Sequence, residues 1–212
     1  MKNYQTLLLA ILVISIGFTS CKHAPIHQYT FTKTMIEDSV MVVTAHPLAT
    51  KIGIEVLRDG GNAIDATIAV QFALAACYPV AGNIGGGGFM VYRNASGKST
   101  TLDFREKAPS AAYPDMYLDE NDNAISELSQ YRELAVGVPG SVDGMIQAYG
   151  KYSKLKDWKR LVQPAIEIAR EGVTLSKAQS YITSLLSDII NTSSDSRKLF
   201  YRDGKVIKEG DV

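Results

Sequence analysis

Two short stretches of the sequence carry residue types that could take part in chemistry. One is a run of four glycines at residues 85–88, and the other is residues 103–109 (DFREKAP). Consecutive glycines let a backbone approach another backbone or a ligand closely. The guanidinium of Arg105 offers a planar fork that can bind a carboxylate through two parallel hydrogen bonds. Alternatively, Arg105 forms an ion pair with Asp103 or Glu106, so the residue types alone leave both roles open.

The glycine run does not fit a known nucleotide-binding pattern. It lacks the G-x-G-x-x-G spacing of a dinucleotide site, and the nearby Gly97-Lys98-Ser99 is not a P-loop because Tyr92 occupies the position of the first glycine. The run therefore either packs against neighbouring backbone or lines a ligand site. Histidines are few and form no cluster, so no Ser-His-Asp arrangement and no metal site is predicted. His46, before Pro47 at a helix start, is expected to be a cap or a packing residue.

Strands are predicted on both sides of these stretches. Residues 89–93 and 100–105 form strand-like runs joined through Ala95-Ser96-Gly97, with Leu102 and Phe104 on one face of the second strand. Arg105 then stands where that strand ends and a loop begins. Residues 40–44 (VMVVT) predict a buried strand, and an Asp-Gly pair in residues 200–207 predicts a hairpin.

Helices are predicted for most of the remaining chain. Pro47 suits the start of a helix that ends at Gly60-Gly61. Asn62 with Asp65 predicts a capping box for a helix over 64–77, which is apolar on nearly every face and therefore sandwiched between layers. Later apolar periodicities predict helices over 142–149, over 161–169 with a kink or restart at Pro164, and over 181–189, the last with a capping box at Ser176 and Gln179.

The overall composition is that of a globular protein with a neutral surface. Apolar residues make up 46% of the 212 residues, charged residues make up 21%, and the net charge is zero because Lys+Arg and Asp+Glu are 22 each. Nucleic-acid binders depend on an excess of positive charge facing phosphates, so this class is excluded. Cys21 and Cys77 are the only cysteines, and their positions predict no disulfide framework.

The first twenty residues form a predicted export signal. A basic start at Lys2 precedes a nearly all-apolar run over residues 7–18, whose twelve residues would reach only about 18 Å as a helix, too short for a bilayer core. Small residues then lead into Cys21, as in bacterial lipoproteins, in which this cysteine is acylated. The alternative is an ordinary cleaved signal with a chance cysteine. We expect a signal peptide at 1–20, a lipid-tethered spacer at 21–37 and a folded region at 38–212, exported to the periplasm or the cell surface.

Three long motifs occur in a fixed order along the chain: residues 60–66 (GGNAIDA), 82–90 (GNIGGGGFM) and 103–109 (DFREKAP). Residues 45–49 (AHPLA) and 137–141 (GVPGS) add two looser stretches. Together they resemble the consecutive landmarks of the γ-glutamyltransferase family (also called γ-glutamyltranspeptidase or glutathione hydrolase). The resemblance runs from about residue 36 to residue 212 and corresponds to the N-terminal, large-subunit portion of that family.

This resemblance implies a fold and a reaction. The fold would be α+β, an incomplete part of the four-layer αββα sandwich of N-terminal-nucleophile hydrolases. A precursor of this family cuts itself into a large and a small subunit and exposes an N-terminal threonine. That threonine attacks the γ-amide of glutathione or another γ-glutamyl compound, and water, an amino acid or a peptide then accepts the γ-glutamyl group. No metal or organic cofactor is implied.

Carried over residue by residue, the resemblance assigns one substrate-binding residue and no catalytic one. Arg105 falls on the arginine that binds the α-carboxylate of the γ-glutamyl group. The family's nucleophile lies in a Thr-Thr-His-x-Ser stretch, which neither Thr100-Thr101-Leu102 nor Asn191-Thr192-Ser193 matches. These 212 residues alone are therefore expected to be inactive. Alternatives are a related acylase or poly-γ-glutamate hydrolase, and a non-catalytic, truncated glutamate-binding lipoprotein.

Lipidation of Cys21 is the first testable prediction. Intact mass of membrane-extracted protein should show a chain that lacks residues 1–20 and carries acyl groups on Cys21. The Cys21→Ala variant should leave the membrane fraction, because the acyl chains supply the membrane affinity. Cys77→Ala, the matched control, should stay with membranes. A mature chain that starts elsewhere, or a Cys21→Ala variant that still fractionates with membranes, would contradict the prediction.

Overall fold

A computed structural model describes residues 39–212 of the chain. The predicted signal peptide at 1–20, the lipidation site Cys21 and the spacer at 21–37 lie outside the described residues. Within residues 39–212, no helix has the length and apolarity needed to cross a membrane.

The described region is mainly helical, with two short antiparallel strand pairs. Its helices are α1 (Pro47–Arg58), α2 (Ala63–Cys77), α3 (Ser126–Gln130), α4 (Ser141–Tyr152), α5 (Trp158–Glu171), α6 (Lys177–Leu185), α7 (Ser187–Asn191) and α8 (Ser194–Phe200). Its strands are β1 (Phe89–Arg93), β2 (Ser99–Asp103), β3 (Tyr201–Arg202) and β4 (Lys205–Val206), and a 3-10 turn spans Glu133–Ala135.

Helix α2 lies at the centre of the packing, as its all-round apolar sequence predicts. It packs against α1, α5 and α4, and its small side chains allow this close approach. Ala69, Ala73 and Cys77 are fully buried, and Ile68 is among the largest fully buried side chains. The thiol of Cys77 is free, and burial raises its pKa, so it packs as a small hydrophobic group.

The predicted strand at residues 40–44 is wrong for the described region. No strand is assigned there, because no neighbouring strand within residues 39–212 supplies a hydrogen-bonded partner. The predicted burial is wrong as well: Val40, Met41 and Val43 are exposed, the last at 82%, whereas Val42 is half-buried and packs on Gly53 of α1.

The hairpin of β1 and β2 positions the stretch that contains Arg105. Phe89 pairs with Asp103 and Arg93 with Ser99, so the open end of the hairpin leads directly into residues 104–109. The second strand ends two residues before its predicted end, although the N–H of Phe104 still donates to the carbonyl of Gly88 at 3.0 Å. Its predicted alternation is confirmed, with Leu102 half-buried between exposed neighbours.

Most of the predicted helix boundaries are confirmed. His46 caps α1, since its Nδ1 accepts from the N–H of Leu48 at 3.3 Å. A restart of the helix at Pro164, one of the two predicted alternatives, is wrong, because α5 runs without interruption through that residue. The capping box at Ser176 and Gln179 is present. The predicted single helix over 181–189 is instead two helices, because Leu186 adopts φ −94° and ψ 5° between α6 and α7.

The C-terminal part of the chain contains one contact with α2 and one hairpin. The amide of Gln179 in α6 donates to the carbonyl of Cys77 at 2.8 Å, which joins α6 to the end of α2. The predicted hairpin is confirmed as β3 and β4, with Asp203 (φ 50°) and Gly204 (φ 74°) in its turn. Two successive positive φ angles are those of a type I′ turn.

Asp65 does more than complete the predicted capping box at the start of α2. Its carboxylate is fully buried and accepts from the N–H of Asn62 at 2.9 Å and from the hydroxyl of Ser153 at 2.5 Å. It also accepts from the N–H groups of Lys154 at 3.0 Å and Leu155 at 3.2 Å. One side chain therefore joins the start of α2 to the connection between α4 and α5.

These hydrogen bonds hold Asp65 in its ionised form. Burial raises the pKa of Asp65, but the hydrogen bonds from Ser153 and from the N–H groups of Asn62, Lys154 and Leu155 outweigh it, so the pKa lies below its ordinary value. An acid with a lowered pKa stabilises the folded state above its unfolded-state pKa of about 4. That stabilisation is lost as the pH falls through the folded-state pKa.

We expect Asp65→Asn to lower the free energy of unfolding of the complete protein by about 3 kcal/mol at pH 7, because an amide group faces buried donors that lose their acceptor. Chemical denaturation measures the change, with the exposed Asp115→Asn as the matched control. The difference between wild type and Asp65→Asn should shrink as the pH falls from about 4 through the lower folded-state pKa, because the unfolded chain binds the proton first in that window. A difference that is small or independent of pH would contradict this role.

Candidate functional site

Three motif stretches that lie far apart in the sequence meet in main-chain contact. The carbonyl of Gly86 in the glycine run accepts from the N–H of Gly140 at 2.8 Å and of Ser141 at 2.9 Å. Both donors stand at the start of α4, where N–H groups have no partner within the helix. The glycine run thus satisfies the N-terminus of α4 with backbone alone.

The same glycines lie against the stretch that contains Arg105. A Cβ atom on Gly87 would lie 2.4 Å from the backbone nitrogen of Glu106, and one on Gly88 would lie 2.9 Å from the ring of Phe104. No side chain fits at such distances, so the packing interpretation of the run holds at these two positions. Gly85 differs, because a Cβ there would meet no atom within 4 Å.

The third stretch, residues 137–141, covers the Arg105 stretch from the other side. Lys107 and Val138 form an antiparallel bridge, with N–H to carbonyl distances of 3.2 and 2.8 Å. A Cβ on Gly140 would lie 2.0 Å from the carbonyl oxygen of Phe104. Residues 104–107 are therefore held between two glycine-containing segments, and the backbone of Arg105 has little freedom to move.

Arg105 presents an exposed guanidinium from this fixed backbone. Its side chain is 62% exposed, and its Nε lies 3.4 Å from Oε1 of Glu106. Its Cζ lies 5.8 Å from the ring centroid of Phe89, a distance at which a cation is attracted to an aromatic face. Within the described part of the chain, the terminal NH₂ groups of Arg105 form no hydrogen bond, so both remain available to a ligand carboxylate.

The alternative role predicted for Arg105, an ion pair with Asp103 or Glu106, is present only as one long contact with Glu106. Asp103 accepts from the backbone N–H of Arg105 at 2.9 Å rather than from its guanidinium. The pKa of Glu106 is lowered, first by a hydrogen bond from the backbone N–H of Glu106 itself and then by the Arg105 side chain, so this carboxylate stays ionised. Because the contact is long and exposed, it orients Arg105 without occupying the guanidinium fork.

An open cavity of about 400 Å³ adjoins Arg105. Its wall combines the charged residues 105–107 with mainly apolar side chains from the loop that follows, including Ala112, Met116, Leu134 and Val136. A cavity of this kind suits a small ligand with one carboxylate and an aliphatic body.

The described residues contain no assembled nucleophile next to this cavity. The hydroxyl of Thr192 donates to the carbonyl of Ile189 at 2.7 Å at the end of α7, and Thr100 and Thr101 lie within β2. His46, whose pKa is lowered by burial, serves as a helix cap. Residues 39–212 also hold no group of three side chains able to bind a metal ion. The arrangement can bind a carboxylate, and the described residues provide no covalent chemistry.

The sequence predicted a binding role for Arg105 but gave no role to two residues that lie beside it or beside its neighbour Phe104. Phe89 lies beside the guanidinium, and Gly144 lies against Phe104, where a Cβ would be 2.2 Å from the ring. A glycine inside a helix is unfavourable by about 1 kcal/mol relative to alanine, so Gly144 within α4 was itself a signal of close packing. The position of Phe89 at the start of β1 gave no comparable signal.

Comparison with known proteins identifies relatives of this chain. Residues 49–212 match the family model described as Gamma-glutamyltranspeptidase. The glutathione hydrolase proenzyme of Pseudomonas sp. (strain A14) is 43% identical over 212 residues, which is 100% of this chain and 36% of that protein. That of Escherichia coli (strain K12) is 40% identical over 173 residues, which is 81% of this chain and 30% of that protein. The chain thus spans about a third of the length of these relatives.

Solved structures agree with the sequence matches. Helicobacter pylori γ-glutamyltranspeptidase is 42% identical with a TM-score of 0.80, over 84% of this chain and 51% of that one. The Bacillus anthracis transpeptidase CapD is 30% identical with a TM-score of 0.66, over 82% and 53% of the two chains. A cephalosporin acylase from Bacillus halodurans, at 22% identity and a TM-score of 0.66, shares the fold. The predicted fold class, an α+β part of the N-terminal-nucleophile hydrolase sandwich, is confirmed.

We expect Gly144→Ala to lower the free energy of unfolding of the complete protein by about 2 kcal/mol, because the added methyl group displaces the ring of Phe104. Gly150→Ala in the same helix is the matched control, since a Cβ there meets no atom within 4 Å. It should be neutral or stabilising by up to about 1 kcal/mol. Thermal or chemical denaturation of both variants distinguishes packing at Gly144 from a general effect of alanine, and equal effects would contradict the close contact.

Proposed function

Because this chain belongs to the γ-glutamyltranspeptidase family, we propose that it is the N-terminal part of an enzyme that hydrolyses glutathione and other γ-glutamyl compounds. The same enzyme would transfer the γ-glutamyl group to amino acids or peptides. The relatives at 43% and 40% identity are named glutathione hydrolase proenzymes, which favours this substrate class over the acylase and poly-γ-glutamate alternatives.

The observation that carries the proposal is the placement of Arg105. Its backbone is fixed between residues 85–88 and 137–141, its guanidinium fork is open, and a cavity of about 400 Å³ adjoins it. A γ-glutamyl group has an α-carboxylate at one end, which matches the fork, and an aliphatic chain that leads away from it. The apolar wall of the cavity suits that chain.

The covalent step is proposed for a segment outside this sequence. There, a threonine freed at a new N-terminus would attack the γ-amide carbonyl with its own α-amine as the base, forming a γ-glutamyl ester and releasing the amine. Water or an acceptor amine would then cleave the ester. This division assigns substrate binding to Arg105, whose guanidinium is exposed, and the covalent step to the proposed second segment.

A second part of the protein, the small subunit, is proposed as the partner of this region. Several apolar side chains are exposed in residues 39–212, among them Val43 at 82%, Val91 at 80% and Phe89 at 64%. Burial of such side chains is strongly favourable. A lipid anchor at Cys21, in an exported protein, completes the proposal and rests on the sequence pattern alone.

Arg105→Ala in the complete enzyme tests the proposed function. The variant should raise KM for a γ-glutamyl chromogenic amide roughly 10- to 150-fold, with a smaller change in kcat, because a charge-assisted hydrogen bond contributes about 1.5–3 kcal/mol. Arg105→Lys should recover only part of the loss, since an ammonium group lacks the fork.

Arg58→Ala is the matched control, because Arg58 is an exposed arginine at the end of α1. Its KM should equal that of the wild type. A wild-type enzyme without activity toward γ-glutamyl amides would overturn the proposed function. Normal KM in Arg105→Ala would instead assign the arginine a structural role.

A further inference from the structure

A second cavity, of about 430 Å³, lies between the tip of the β1–β2 hairpin and the C-terminal end of α4. This cavity is separate from the one beside Arg105, because it lies at the tip of the hairpin and Arg105 follows its open end. Thr100 in its wall is five residues before Arg105, which corresponds to about 17 Å along a strand. The residues that line it are Tyr92, Asn94, Lys98, Thr100, Lys151 and Tyr152.

Every polar side chain in this lining can donate a hydrogen bond, and none is acidic. Within residues 39–212, the amines of Lys98 and Lys151 have no ion-pair or hydrogen-bond partner. The side-chain oxygen of Asn94 is occupied, since it accepts from the hydroxyl of Ser96 at 2.7 Å and from the N–H of Lys98 at 3.0 Å. The side-chain NH₂ group of Asn94 therefore remains the part of this side chain that can donate to a ligand. The cavity therefore offers donors and positive charge without a competing acceptor side chain.

The walls of the cavity are held in place from both sides. The rings of Tyr92 and Tyr152 contact each other with their centroids 5.1 Å apart, which joins the hairpin to α4. The carbonyl of Tyr152 accepts from the side-chain amide of Asn62 at 2.7 Å, and the next residue, Ser153, binds the buried Asp65. A fixed wall lowers the cost of ordering side chains around a ligand.

The negative end of the α4 dipole, which would repel an anion, is also covered. The amine of Lys156 donates to the carbonyls of Tyr149 and Gly150, both at 3.1 Å. A cation at the C-terminus of a helix offsets its partial negative charge. The charged side chains that line the cavity are those of Lys98 and Lys151.

We propose that this cavity binds the phosphate group of an anionic ligand. Lysine binds phosphate as a point charge, and two ammonium groups match a doubly charged phosphate better than a single carboxylate. The hydroxyl groups of Tyr92, Thr100 and Tyr152 supply neutral donors for the remaining oxygens. The phosphate can belong to a soluble phosphate ester or to a lipid headgroup, which share this chemistry.

The test uses the complete protein with Cys21→Ala, so that no acyl chain contributes to membrane binding. Calorimetry measures binding of pyrophosphate, and sedimentation measures binding to vesicles of phosphatidic acid, with phosphatidylcholine vesicles as the reference. The double variant Lys98→Ala/Lys151→Ala should weaken binding by roughly tenfold or more. Binding should also weaken as salt is raised.

Lys159→Ala/Lys177→Ala is the matched control, because it removes the same charge from exposed lysines outside the cavity. It should change binding less than twofold, and unchanged melting temperatures would show that both double variants keep the fold. Pyrophosphate binding that is lost in the cavity variant identifies a soluble phosphate ligand. Binding confined to phosphatidic acid and lost in that variant identifies a headgroup. No binding in either assay, or an equal loss in the two double variants, would overturn the proposal.

Discussion

The buried carboxylate of Asp65 is the interaction on which the arrangement of this region depends. It fixes the start of α2 against the connection between α4 and α5 through hydrogen bonds to the hydroxyl of Ser153 and to the N–H groups of Lys154 and Leu155. Helix α4 spans twelve residues, about 18 Å. Its other end, at Gly140 and Ser141, holds the glycine run. Helix α4 therefore has the buried carboxylate of Asp65 beyond one end and the backbone contacts of the candidate site at the other.

The candidate site itself depends on the absence of side chains. Gly87, Gly88, Gly140 and Gly144 all lie where a Cβ would overlap residues 104–106. These contacts fix the backbone of Arg105 while leaving its guanidinium exposed. A long, flexible side chain loses less entropy on binding when its backbone is already fixed. Under the proposed function, this fixed backbone lets an exposed arginine on a loop act as a defined binding group.

Local features of the fold could be predicted from the sequence, and pairings between distant residues could not. The caps at His46, Asn62 and Ser176 were predicted because a cap depends on residues within one turn of a helix. The strand at residues 40–44 was wrong because a strand requires a partner that the local pattern does not reveal. The binding role predicted for Arg105 came from the family resemblance, whereas its contact with Phe89 had no local signal. The glycine at position 144 signalled close packing, but it did not specify Phe104 as the partner.

Asp65 and Ser153 are 88 positions apart in the sequence, and this separation has a consequence for the time course of biosynthesis. At about 5–20 residues per second, a ribosome needs roughly 4–18 s to pass from one to the other. During that interval α1 and α2 can form a local helical pair, but the carboxylate of Asp65 lacks its distant hydrogen-bond donors. The nascent chain must keep that charge in water until Ser153, Lys154 and Leu155 have been synthesised. The central helix of this region therefore cannot be fully buried before most of the region exists.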